Sequence, residues 1–287
     1  MILITGASGF IGGHVLRLAA STRDAAGTGY RNIRPAGSGV LHPLDLEDEE
    51  GIRRLVRKLA PEVVIHTAGW SRTADCENQP EKAVRINTRA VQILAEESDR
   101  RKARLVFLST DMVFDGEKGD YRESDPVNPV NHYGRTKAMA EAFLLGKGGN
   151  VVIARVALCY GKPAAGGHSF SQTILRKLKT GEPMKLFTDQ FRTPVLVNDL
   201  AAALLELAVS DFTGILHLGG SERVDRYTFG CRLAEIRGLP RDLLKPVSMS
   251  DYPAAAPAPR DVSMDITLAG KYLRTGLRGY REGLKEA

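Results

Sequence analysis

The opening stretch MILITGASGFIGG (residues 1–13) decides the fold. Ile2–Thr5 is a short apolar run that reads as a strand. Gly6, Gly9 and Gly12 follow at once, and HVLRLAAS (14–21) then carries apolar residues at helical spacing. A strand that passes through glycines into a helix meets three needs at once: a tight turn, a backbone free to approach a pyrophosphate, and close helix–strand packing. The first N–H groups of such a helix attract anions. Glycines also serve plain turns, and the spacing here is G-x-x-G-x-x-G rather than G-x-G-x-x-G. The strand before and the helix after make the dinucleotide reading the stronger one.

The same rhythm continues outward. GVLHPLDL (39–46), EVVIHTAG (62–69), ARLVFLST (103–110) and NVVIARV (150–156) read as strands. Between them DEEGIRRLVRKL (48–59), PEKAVRINTRAVQILAEES (80–98) and GRTKAMAEAFLL (134–145) read as helices. Strands alternating with helices predict βαβ units and a parallel sheet. The strands are nearly all-apolar rather than alternating, as befits a sheet covered on both faces. After Val156 the rhythm loosens into CYGKPAAGGHSFS (159–171), a loop. Helices are expected near 169–179, 198–209 and 227–238, a strand at GILHLGG (214–220), and a Pro/Ala connector at 251–261. The expected class is α/β: a doubly wound parallel sheet followed by a smaller, irregular C-terminal portion.

Composition narrows the function. The chain has 287 residues, a formal charge of +6 and 43% hydrophobic residues, the profile of a globular protein. No apolar run approaches a membrane span. The chain opens directly on a strand with no basic leader, so a cytoplasmic location is expected. Cys76, Cys159 and Cys231 are odd in number and far apart, which predicts reduced thiols without a zinc site. None of the six histidines shows ligand spacing, so no metal is expected. The basic runs at 53–58 and 99–104 fall late in helices, where cations complement the dipole. They read as solvated faces rather than as a nucleic-acid surface.

Two further stretches carry the chemistry. In NHYGRTKAMAE (131–141), Tyr133 and Lys137 lie four apart, on one helical face. In VFLSTDMVFDG (106–116), Ser109, Thr110 and Asp111 close a strand, at the sheet edge where open α/β folds bind ligands. A hydroxyl and a phenol can converge there on one carbonyl oxygen. A lysine beside the phenol is expected to lower its pKa and make it a better acid or base. The residue that reads the adenosine ribose should fall in AAGTGYRNIR (25–34). That stretch has no acidic residue and offers Arg31 and Arg34, which favours NADP over NAD. Asp45 suits either the adenine side or the cap of the next helix, and Arg192 either a diphosphate or a loop salt bridge.

Taken together, TGASGFIG, HTAG, RINTRAVQILAEE, LSTDMVFDG, YRESDPVNPVNHYGRTKAMAE and RVALCYG resemble the extended short-chain dehydrogenase/reductases. Among these the chain is most similar to the dTDP-4-dehydrorhamnose reductase group. The resemblance is dense to about Gly161 and thinner beyond, where DQFRTPVLVNDLAAALLEL (189–207) still follows it. It implies a Rossmann domain of residues 1–156 plus about 194–220, and a substrate-binding portion of about 157–193 plus 221–287. Thr110, Tyr133 and Lys137 match the catalytic residues, with Asp111 an acidic neighbour near the substrate. Gly6, Gly9, Phe10, Ile11 and Gly12 match the pyrophosphate loop. Tyr30 and Arg31 match the ribose side, Asp45 and Leu46 the adenine side. Thr67, Ala68, Gly69, Asn87 and Ser109 complete the cofactor set, with Tyr133 and Lys137 also touching it.

The implied activity is reduction of a keto group on a nucleotide sugar by a homodimer, with NADP preferred and NAD possible. Relatives in the same group include a regulatory subunit of methionine adenosyltransferase that binds NADP without catalysis; epimerases and dehydratases share the fold. Two departures fall in substrate territory: Leu158 replaces a common tryptophan, and APRDVSMD (258–265) replaces a pattern closer to R-P-x-N-S-x-L-D.

Overall fold

The computed structural model describes residues 1–30, 40–164, 167–251 and 256–287. Its centre is a seven-stranded parallel sheet. In chain order the elements are β1 (Ile2–Thr5), α1 (Phe10–Ala20), β2 (Ala25–Gly29), β3 (Val40–Pro43), α2 (Glu49–Leu59), β4 (Val63–His66), α3 (Thr73–Asn78), α4 (Pro80–Val84), α5 (Ala90–Arg100), β5 (Arg104–Thr110), α6 (His132–Lys147) and β6 (Val151–Val156). The strand order is β3-β2-β1-β4-β5-β6, and β11 (Gly214–Leu218) extends it beyond β6. This is the doubly wound Rossmann arrangement that the opening stretch predicts.

The apolar strands are explained by two cores, one on each face. Side chains alternate across a strand. Leu3, Val64, Leu105, Phe107 and Ile153 therefore face one way, against α2, α5 and α6. Ile2, Ile4, Ile65, Val106 and Val152 face the other, against α1 and α8 (Val197–Ala208). At Gly27 in β2, a Cβ would come within 2.5 Å of Ala7 and Leu41, so only glycine lets α1 and β3 close on that strand.

Two elements differ from expectation. The helix over 80–98 is interrupted: a π turn, Arg85–Arg89, joins α4 to α5. The polar segment Thr73–Asn78, without apolar periodicity, nonetheless forms α3. Helix α6 starts where Asn131, fully buried, accepts the Gly134 N–H at 2.8 Å. That cap sets Tyr133 in the first turn, at the carboxyl ends of the strands.

Beyond β6 the chain makes three small strand pairs. They join β7 (Cys159–Tyr160) to β10 (Val195–Leu196), β8 (Met184–Phe187) to β13 (Leu244–Val247), and β9 (Phe191–Arg192) to β12 (Val224–Asp225). With α7 (Phe170–Lys179) and α9 (Arg226–Ile236) they enclose a third core around Tyr160, Ile174, Leu186 and Phe229. Short helices α10 (Thr267–Tyr272) and α11 (Tyr280–Gly283) close the chain. No helix among the described residues is long and apolar enough to cross a membrane.

Candidate active site

The glycine loop is built by exclusion. Gly6 adopts a left-handed φ of +72°, and a Cβ there would lie 2.7 Å from the Ala68 Cα. A Cβ on Gly12 would lie 2.4 Å from the Gly6 carbonyl oxygen and 2.5 Å from the Thr67 hydroxyl. Helix α1 then starts after Gly9 with no side-chain cap and no acidic residue in its first turn. Its leading N–H groups are the orphan donors of a helix start, and they lie beside the loop Thr67–Gly69. The donor set therefore fits a pyrophosphate, and Phe10 and Ile11 begin the helix that would hold it.

The adenosine side is described in part. Tyr30 follows β2 and is 57% exposed; Arg31 and Arg34 lie outside the described residues. Asp45 is not the cap of α2. Its carboxylate accepts the Glu47 N–H at 2.9 Å, whereas Asp48 caps the helix through Gly51 at 2.9 Å. Leu46 packs on the core beneath α2.

A cavity of about 370 Å³ opens where β4 and β5 end and α6 begins, reaching from Ile11 and Thr67 to Arg226. Thr110, Asp111, Tyr133 and Lys137 all line it. Strand alternation divides Ser109 from Thr110. The Ser109 hydroxyl donates to Glu141 on α6, and Glu141 pairs with buried Arg155 at 2.8 Å. Ser109 thus meets the cavity without its hydroxyl. Thr110 accepts the Met112 N–H at 3.2 Å and donates to Asp111 Oδ1 at 3.1 Å.

The expected tuning of Tyr133 by Lys137 is corrected by the structure. Burial raises the Tyr133 pKa above that of a free phenol; a Thr110 hydrogen bond opposes this, and the charge of Asp111 adds to it. Lys137 shares the helical face, but its ammonium lies 4.1 Å above the Phe107 ring. Burial lowers Lys137 to about 7, against the pull of Glu141. Tyr133 is therefore held as a protonated phenol, a form that suits proton donation.

Asn87 and Arg192 act on the cavity through the backbone. Asn87, on the π turn, accepts the Trp70 N–H at 2.7 Å and donates to the Trp70 carbonyl at 3.0 Å and the Thr136 hydroxyl at 3.1 Å. It fastens the loop after β4 to α6. Arg192 is 2% exposed and realises the salt-bridge reading: its Nε lies 3.7 Å from Asp111. Its terminal nitrogens donate to the carbonyls of Phe191 at 2.6 Å and Pro259 at 3.3 Å.

The residue missed by sequence reasoning is Arg226. It is the first residue of α9, next to the capping Asp225, yet it lines the same cavity as Tyr133. One signal was available: an arginine in the first turn runs against the helix dipole, which invites a reason for it. Among the described residues no three His, Cys, Asp or Glu side chains group to hold a metal.

A doubly wound sheet that opens on this glycine loop belongs to the NAD(P)-dependent oxidoreductases of the extended short-chain type. More narrowly, residues 1–287 match the RmlD substrate binding domain family, and the chain belongs to it. It is 31% identical to the probable low-salt glycan biosynthesis reductase Agl14 of Haloferax volcanii over 269 residues, 92% of this chain and 89% of the relative. It is 30% identical to methionine adenosyltransferase 2 subunit beta of Bos taurus, covering 100% of this chain and 86% of the relative. A hypothetical dTDP-4-dehydrorhamnose reductase from Sulfolobus tokodaii superposes with a TM-score of 0.87 at 32% identity, over 96% of each chain. MoeE5 in complex with UDP-glucuronic acid and NAD gives 0.85 at 27% identity, over 99% of this chain and 96% of that one.

Proposed function

We propose that the protein reduces a keto group on a nucleotide sugar, as a dTDP-4-dehydrorhamnose reductase does. The carrying observation is the gathering of Thr110, Tyr133 and Lys137 in one cavity continuous with the Thr67–Gly69 loop. When bound, a nicotinamide supplies the hydride. Tyr133, held protonated, gives its proton to the carbonyl oxygen, and Thr110 orients that oxygen by hydrogen bonding. Lys137, one helical turn on, lines the same cavity and would hold the nicotinamide ribose. The glycine loop, Thr67–Gly69, Tyr30, Arg31, Asp45 and Leu46 hold the cofactor, and Asn87 and Ser109 support that surface from behind. Residues 1–156 and about 194–220 form the cofactor portion, and 157–193 with 221–287 the substrate portion.

NADP is the favoured cofactor, since the segment after β2 supplies Arg31 and no carboxylate; the NAD bound by MoeE5 keeps NAD open. A cytoplasmic homodimer fits the reading. Met139 and Leu145 on α6 are 49% and 52% exposed, apolar positions that a second copy would cover. The cofactor, the substrate class and the reaction are tested together by titrating the protein with NADPH and NADH, then following reduced-cofactor absorbance with a panel of 4-keto nucleotide sugars. Consumption with one sugar names the substrate. Tight binding with no consumption across the panel sinks the reductase reading.

That second outcome would favour a regulatory subunit. One observation supports this alternative: the beta subunit of methionine adenosyltransferase aligns along the whole chain. Against it stand the three reactive residues lining one cavity.

A further inference from the structure

The cavity that Thr110 and Tyr133 line carries more positive charge than negative. Two guanidinium groups, Arg192 and Arg226, line it with one carboxylate, Asp111. Arg192 and Asp111 are both buried and paired with each other. The Arg192 donors are further occupied by main-chain carbonyls from two segments, so Arg192 braces the 259–260 segment against β9. Arg226 is built differently. Its Nε donates to Gln190 Oε1 at 3.0 Å, and its guanidinium carbon lies 4.6 Å from the centre of the Phe170 ring. Among the described residues, its two terminal nitrogens have no hydrogen-bond partner. A guanidinium clamped at Nε and stacked on a ring offers a rigid fork, the geometry that reads carboxylate and phosphate oxygens in pairs. Asp111, the carboxylate lining this cavity, is shared with Arg192, and a second cation facing the cavity is costly unless a further anion meets it there.

We propose that Arg226, and not Arg192, is the residue that anchors an oxyanion of the substrate in this cavity. The inference rests on the reading of the cavity as the substrate site. It narrows the substrate class: the keto compound carries a diphosphate or a carboxylate that enters the same cavity as the carbonyl that Thr110 and Tyr133 hold. Arg192 is instead committed to Asp111 and to the carbonyls of Phe191, Pro259 and Arg260. Leu158 lines the same cavity in place of an aromatic surface, leaving the sugar ring with one stacking partner fewer and the anchor with more of the binding.

The test uses the full chain loaded with NADP. Calorimetry measures binding of dTDP, UDP and glucuronate to the wild type, to Arg226→Gln and to Arg226→Lys. Binding of dTDP or UDP identifies a diphosphate anchor, and binding of glucuronate alone a carboxylate anchor. In either case Arg226→Gln should weaken binding by about ten- to a hundredfold, the effect of losing charge-assisted hydrogen bonds. Arg226→Lys should fall between, because a point charge cannot replace the fork. With a turned-over keto sugar the loss should fall on KM rather than kcat. Thermal melts and NADPH affinity of both variants should match the wild type, which separates anchoring from a structural role. Failure of all three oxyanions to bind, or unchanged binding in Arg226→Gln, overturns the inference. If dTDP binds through Arg226 but no keto sugar consumes NADPH, the anchor stands and the reductase reading falls.

Discussion

Asn87 holds Trp70 by both of its main-chain polar groups, accepting its N–H at 2.7 Å and donating to its carbonyl at 3.0 Å. The π turn makes this possible. Its extra residue per turn lets Asn87 reach Trp70 while the next residue, Thr88, donates to the Thr136 carbonyl at 2.8 Å. Such bulges often mark functional sites. Asn87→Ala should cost about 2 kcal/mol in urea unfolding, since it strands buried main-chain groups. NADPH affinity should fall with it, because the Thr67–Gly69 loop is set free. Wild-type affinity in a destabilised variant would show that this fastening does not reach the cofactor.

Tyr133→Phe removes the proton donor and leaves the ring. Turnover should fall by about a hundred- to ten-thousandfold, the range for loss of a general acid. Cofactor fluorescence should report near-normal NADPH binding. Turnover close to wild type would remove Tyr133 from the chemistry.

Gly12→Ala places a methyl 2.4 Å from the Gly6 carbonyl oxygen and 2.5 Å from the Thr67 hydroxyl, with main chain on one side. Overpacking of this kind costs about 1–3 kcal/mol. The expected readout is a lowered melting temperature together with NADPH binding weakened at least about tenfold, from a loop pushed off its position. Gly146, inside α6 with nothing within 4 Å of its added Cβ, is the control: Gly146→Ala should leave NADPH binding unchanged and raise the melting temperature slightly, as alanine is the better helix former.

Acid should unfold the protein through two histidines. Burial, reinforced by Lys137 for His66 and Arg155 for His217, holds each at about 3. In the unfolded chain both titrate near the ordinary value of about 6.5. Above that pH neither state binds the protons and the full stability is present. Below it the unfolded chain takes up protons that the native one refuses, so stability is lost as pH falls towards 3. The slope from two such groups is up to about 2.7 kcal/mol per pH unit. Urea melts at pH 7 and pH 5 measure it. His66→Gln should remove about half, and equal stability at both pH values would refute this account.

Glu141 sits behind the reactive face, taking the Ser109 hydroxyl and the Arg155 guanidinium into one buried group. Glu141→Gln keeps the shape but leaves Arg155 unpaired, and breaking a buried pair in this way costs about 3–5 kcal/mol. The same change removes the charge that supports protonated Lys137. Any activity that depends on protonated Lys137 should therefore shift its upper pH limit downward. A variant as stable as wild type would mean that water or the Glu123 carbonyl already satisfies Arg155.

The sheet was legible because β1, β4, β5 and β6 are predominantly apolar on both faces, as a doubly covered strand requires. The reactive residues were legible because Thr110 ends a strand and Tyr133 follows a cap. What escaped reading had no local signal of its own. β7, β9, β10 and β12 are two-residue strands held by partners far along the chain, too short to show a period. Arg226 enters the cavity only because α9 packs beside β8 and β12. The i, i+4 spacing of Tyr133 and Lys137 gave the shared face correctly, but it could not show that Phe107 draws the lysine aside. Both Asp45 and Asp48 precede α2, and only the observed turn decides which one caps it.

The last strand of the sheet arrives late. β6 ends at Val156, and the strand that pairs with it, β11, begins at Gly214, after the chain has made its excursion through β7–β10 and α7. At a ribosomal rate of about 5–20 residues per second, the open flank of VVIARV waits several seconds during synthesis for its neighbour. During that interval an apolar edge is available to any other nascent chain. The enzyme's yield in a cell is thus tied to how quickly translation carries it past Leu218, and slow codons between Val156 and Gly214 should lower soluble expression while leaving the finished molecule unchanged.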